Sequence, residues 1–228
     1  MTIPVDDPFG AASDPALPAL RLALDPVEAK KQFKRRLPHL SGEGKLRLQA
    51  IRVTRHKAGR RCVIEYDVRI DRPGCEPASL TLIGKIRARR FGNESFRLQQ
   101  QFWQSGFAAD SPDGISVPEP LGVISAFRMW VQRKVPGEPY HRVLKLAQRV
   151  DLARRIAQAI HKVHLANVPT DRSHRMADEL RILQQCLAKV GELKPEWAQR
   201  LEALEKRCLA LGLSVPEPKE YGIHRDFY

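Results

Sequence analysis

The chain has 228 residues, 43% of them hydrophobic, enough to bury a sizeable core in one domain or two small ones. Charged residues make up 29%, yet apolar segments recur at regular spacing, which excludes wholesale disorder. The net charge of +13, mostly arginine and spread along the chain, makes anions the expected partners and argues against a dedicated nucleic-acid arm.

No window reaches the roughly 18 apolar residues of a membrane span. The opening MTIPVDDPFG lacks the apolar stretch of a signal peptide, so a cytoplasmic location and no membrane partner are expected. Cys62, Cys75, Cys186 and Cys208 form no CxxC pair and read as isolated reduced thiols. His161 and His164 share a helix face without a third ligand, so no metal site is assigned to them.

In chain order, residues 1–44 read as a flexible leader, punctuated by Pro4, Pro8, Pro15 and Pro18. It carries one short basic helix, opened by Pro26-Val27-Glu28 and running to about Arg36. From Lys45 the period changes to two: Leu46, Leu48, Ala50 and Val53 predict a strand, and residues 61–70 a second. The turn at 56–60, containing Gly59, joins them into a hairpin. Asp71-Arg72-Pro73-Gly74 predicts a turn, and residues 79–87 a third strand. Phe96, Gln99 and Trp103 give residues 94–105 helical spacing, and residues 121–125 and 127–132 predict two more strands. Val135-Pro136-Gly137-Glu138-Pro139 breaks the chain. Helices are expected at 146–166, 176–190 and 195–211. Beyond them, apolar Tyr221 and Ile223 lead into His224-Arg225-Asp226.

Three strands, a helix, two strands, a Pro-Gly hinge and a helical region delivering His-Arg-Asp: this order resembles the protein kinase fold. More narrowly, it resembles the aminoglycoside phosphotransferase and choline-kinase-like family of small-molecule kinases, over about 180 residues from Lys45 to Tyr228. The resemblance implies an α+β chain: a five-stranded antiparallel N-lobe with one inserted helix (45–134), then an incomplete helical C-lobe (135–228).

It also implies roles, because phosphoryl transfer relies on positioning and charge stabilisation. Lys85 on the third strand would hold the α- and β-phosphates of ATP or GTP, and Glu94 would be its helix carboxylate. The Gly59 turn would arch over the phosphates, and the backbone around Met129 and Val131 would meet the nucleobase. Asp226 would accept the proton of the attacking hydroxyl, with His224 bracing the loop and Arg225 helping to keep Asp226 ionised. Mg²⁺ is implied as cofactor, with its ligands expected beyond Tyr228. On this reading the sequence is a C-terminally truncated phosphotransferase for a small hydroxyl-bearing substrate, expected to turn over little or not at all alone. A kinase-like binding or regulatory protein without activity is the alternative. A basic nucleic-acid-associated protein is a more remote one.

Overall fold

Strict alternation in the second predicted strand decides how the sheet is used. Cys62, Ile64, Tyr66, Val68 and Ile70 are buried, while Arg61, Val63, Glu65, Asp67 and Arg69 point to the other side. A computed structural model describes residues 2–88, 94–137, 149–170, 173–216, 219 and 221–222. The fold is α+β, and the chain divides into two units, Met1–Ala159 and Ile160–Tyr228.

The first unit holds a six-stranded mixed sheet. Its strands are β1 (Val5–Asp6), β2 (Lys45–Lys57), β3 (Arg61–Asp71), β4 (Ala78–Arg87), β5 (Pro120–Ile124) and β6 (Met129–Arg133), in the order β1-β2-β3-β4-β6-β5. The five expected strands are present and pair with one another antiparallel. The sixth, β1, pairs parallel with β2 through Val5 and Ile51, so the sheet is mixed and not purely antiparallel. Two residues flanked by prolines carry no alternation, which is why β1 is invisible in the sequence.

The expectation of a flexible leader over 1–44 is corrected by this arrangement. The segment folds into α1 (Leu20–Ala23), α2 (Pro26–Arg36) and α3 (Pro38–Ser41), and it covers the apolar face of the sheet. Its prolines separate short elements, and between them Ala11, Leu17, Leu20, Ala23 and Leu24 are buried. The helix α2 starts where local chemistry says it should. Asp25 Oδ1 accepts from the backbone N–H groups of Val27 and Glu28 (2.7 and 3.1 Å), and Pro26 fills the first turn. Lys34, Arg35 and Arg36 in its last turn suit the helix dipole. Its inner face buries Ala29, Gln32 and Phe33. The Phe33 ring meets Tyr66 edge-on at 4.9 Å, and the Tyr66 hydroxyl donates to Ala23 O at 2.9 Å.

The helix α4 (Glu94–Gln104) follows β4 and touches β5. The helix α5 (Arg149–Leu165) crosses the boundary between units. In the second unit, α6 (Met176–Leu193) and α7 (Ala198–Ser214) form an antiparallel hairpin: Gln184 Nε2 donates to Glu205 Oε1 at 2.9 Å, and Gly212 lies against Leu180. No helix among the described residues is long and apolar enough to cross a membrane. All four cysteines are free, with Cys62 buried and its thiol pushed up to about 12 by that burial.

If the leader is structural, Phe33→Ala will lower stability by about 3–5 kcal/mol, the cost of truncating a buried aromatic. Equilibrium urea unfolding checks this, and a loss within about 0.5 kcal/mol, as at a surface position, would contradict the packing.

Candidate anion-binding face of the sheet

With the apolar face sealed, the side chains that alternate away from it form a polar face. Much of this face is self-sufficient. Arg52 pairs with Asp67 at 2.6 Å and with Glu65 at 3.3 Å, Lys134 pairs with Glu65 at 2.8 Å, and Thr81 donates to Asp67 at 2.8 Å. The Arg52 guanidinium and Thr81 hydroxyl hold the Asp67 carboxyl below its usual range, Arg52 being the larger cause.

One corner differs. Lys85 lies on β4, directly opposite Trp130 on β6 and Val63 on β3. Its ammonium donates to Gln132 Oε1 at 2.8 Å, and Gln132 is only 7% exposed. Gln132 Oε1 also accepts from Gln99 Nε2 of α4 at 3.1 Å, and that same nitrogen donates to Pro118 O at 2.6 Å. The lysine is therefore aimed by an amide relay anchored on the helix. Burial, and then the charge of Arg87, push the Lys85 pKa below the ordinary lysine value. No carboxylate among the described residues forms an ion pair with it. A neutral amide oxygen offsets only part of the cost of taking an ammonium out of water.

The surroundings of Lys85 are donors as well. Its Nζ lies 5.8 Å from the centroid of the Trp130 ring, and Arg87 Cζ lies 5.3 Å from it. Arg87 is directly opposite Arg61 on β3. Like charges placed so cost the ladder roughly 0.2–1 kcal/mol. Two buried side-chain donors, Arg61 Nε and Trp130 Nε1, have no hydrogen-bond partner among the described residues. Each such orphan costs about 1–3 kcal/mol.

The other expected site residues are distributed differently. Glu94 is the first residue of α4 and exposed, and the described partner of Lys85 is Gln132, not Glu94. Met129 and Val131 lie on β6, an interior strand hydrogen-bonded to β4 and β5, with side chains fully buried on the apolar face. Their backbone is thereby committed to the ladders. His224, Arg225 and Asp226 lie outside the described residues. No group of three or more His, Cys, Asp or Glu side chains that could hold a metal occurs among the described residues.

Gly59 is where the sequence puts it, in the β2–β3 turn, with a left-handed φ of 66° that favours glycine. What the sequence does not reveal is its partner. Asp14 reaches from the N-terminal segment, and its Oδ2 accepts from Gly59 N–H and from His56 Nε2, both at 2.8 Å. The Asp14 side chain is 4% exposed. His56 is opposite Cys62, on the apolar side, so this clasp holds the turn from behind. Arg61, Arg87 and Asp14 carry no site signal in the sequence; Gln99 reads there only as a helix position, and Trp130 and Gln132 only as part of the segment expected to meet the nucleobase through its backbone. The alternation of Trp130 and Gln132 against buried Met129 and Val131 was the one available signal for two of them.

Neither a family model, nor a curated protein, nor a solved structure matches the chain.

The clasp has a pH signature. The Gly59 N–H first, and then His56, hold the Asp14 carboxyl below its ordinary value of 3.8. A carboxyl with a lowered folded-state pKa adds stability in full above its ordinary value, and that stability is lost as pH falls through the lowered one. The stability difference between wild type and Asp14→Asn will therefore be largest at neutral pH and will shrink below about pH 4. Urea unfolding at stepped pH measures it, and a difference independent of pH would show that the carboxylate charge is not what holds the turn.

Proposed function

We propose that this chain is a phosphotransferase of the aminoglycoside phosphotransferase and choline-kinase-like type, moving the γ-phosphate of ATP or GTP to a hydroxyl of a small molecule. The observation that carries the reading is Lys85: a half-buried ammonium on a central strand, aimed by Gln132 and Gln99, with no described carboxylate to neutralise it. A cation held this way is ready to meet an incoming anion, and a nucleotide phosphate fits both its charge and its setting. The order of elements in the first unit supports the same reading, with α4 inserted between β4 and β5 and the amide relay running from that helix to the lysine.

In this proposal Lys85 holds the α- and β-phosphates, and the Gly59 turn, fastened from behind by Asp14, covers them. Because the backbone of β6 is already paired, contact with the nucleobase falls to the residues after Lys134, whose own N–H donates to Thr81 O at 2.9 Å. Asp226 serves as the base that accepts the proton of the attacking hydroxyl, a task that needs an ionised carboxylate within hydrogen-bond reach and no large pKa shift. The described residues do not supply a ligand set for Mg²⁺, so no step is assigned to a metal.

Lys85→Met tests the reading on binding and stability together. Removing a half-buried cation without a carboxylate partner leaves stability unchanged or higher, as replacing desolvated charge by an apolar side chain often does. ATP affinity falls at least about tenfold, equal to ~1.4 kcal/mol. Wild-type affinity should also weaken as pH rises, because only the ammonium form attracts phosphate, and should do so below the ordinary lysine pKa. Calorimetric titration of wild type and variant would refute the proposal if the two bound ATP equally. In any form of the protein that transfers phosphate, Asp226→Asn will abolish transfer and leave ATP affinity within about twofold; unchanged rates would remove Asp226 as the base.

A further inference from the structure

The two buried side-chain donors without a described partner, Arg61 Nε and Trp130 Nε1, lie at the same corner of the polar face. Arg61 is across the ladder from Arg87, and Trp130 is across from Lys85. These four neighbouring positions offer two guanidinium groups, one ammonium and one indole N–H. The one described acceptor that touches the group, Gln132 Oε1, is shared between Lys85 and Gln99. Arg61 and Arg87, like Lys85, form no ion pair with any described residue.

Buried donors are nearly always satisfied in folded proteins, and like charges directly opposite each other oppose strand pairing. An arrangement that breaks both rules at one place is complementary to a ligand made of acceptors. Two residues along β4 span about 7 Å, and the neighbouring strands lie about 5 Å to either side. That footprint exceeds one phosphate group and suits a chain of two or three.

We infer, building on the nucleotide reading of Lys85, that Arg61, Lys85, Arg87 and the Trp130 indole N–H form a single cradle for a linked phosphate chain. Arg61 and Arg87 are then binding residues in their own right. The phosphate end of the donor, more than its base, supplies the affinity. Inorganic tripolyphosphate, which has the chain and lacks the nucleoside, is the direct probe.

Calorimetric titration of the whole chain with tripolyphosphate, phosphate and ATP tests this. Tripolyphosphate should bind at least tenfold more tightly than phosphate and should be displaced by ATP. Arg61→Gln and Arg87→Gln should each weaken tripolyphosphate and ATP three- to tenfold. Lys30→Gln, an equal loss of charge on the exposed side of α2, should leave both within twofold. Thermal unfolding of each variant shows whether it has folded, and Arg87→Lys, which keeps the charge, should recover part of the affinity if the site is electrostatic. Absence of tripolyphosphate binding, or losses in Arg61→Gln and Arg87→Gln no larger than in Lys30→Gln, would overturn the cradle. ATP binding that needs Lys85 but ignores both arginines would overturn it too, while sparing the nucleotide reading. Arginine-dependent tripolyphosphate binding that ATP cannot displace would uphold the cradle and remove the nucleotide.

Discussion

The sheet can offer a polar face only because its other face is sealed, and the seal comes from the N-terminal segment. Tyr66 is the joint. Its ring is fully buried between Phe33 and Met129, and burial drives its pKa upward, so the hydroxyl stays protonated and donates to Ala23 O. That bond satisfies a carbonyl at the end of α1, and the aromatic contact fixes α2 over β3. Gly84 on β4 completes the fit: a Cβ there would come within 2.2 Å of Met129 Sδ and 3.0 Å of Tyr66 Cε2. Glycine lets the central strand approach the tyrosine, and its neighbour Lys85 is turned by the pleat to the opposite side. Closing the core and turning the lysine to the polar face are thus one geometric event.

The N-terminal segment also reaches the turn that follows β2. Asp14 binds Gly59 N–H and His56 from the apolar side, so the same stretch that seals the core sets the attitude of the hairpin tip. A carboxylate that is almost fully enclosed and accepts three hydrogen bonds, including one from Ala16 N–H, is a rigid fastening. A turn held in this way has less conformational entropy left to lose on binding a ligand.

How much of this was legible follows from the range of the signals involved. The strands β2, β3 and β4 were readable because alternation is local; Ile83 and Ile86 place Lys85 on a strand, while its nomination came from the family resemblance. The cover was misread because its evidence is not local. Pro4, Pro8, Pro15 and Pro18 look like disorder until the surface that receives Leu17, Leu20 and Phe33 is known. The register that sets Lys85 against Trp130 depends on which strand lies on the far side of β4 from β3, and the sheet places β6 there before β5. No pattern within β6 states that neighbour. Gln99 shows the same limit: helical spacing makes it a residue of α4, but only the docking of the helix makes it a partner of Gln132.

Net charge alone would not have located an anion site, since a surplus of arginine is spread over the whole sequence. What distinguishes the corner around Trp130 is the failure of pairing there, set against its success a few residues away. On the same face Arg52 finds two carboxylates, and Arg47 and Arg69 share Asp71. The sheet is thus able to neutralise its cations where nothing else will. A sequence that satisfies polar groups along most of a face and leaves a desolvated lysine, two opposed arginines and two orphan donors together gives up stability at one spot. An external acceptor would recover that loss only while bound, and this is the energetic ground for the proposed cradle.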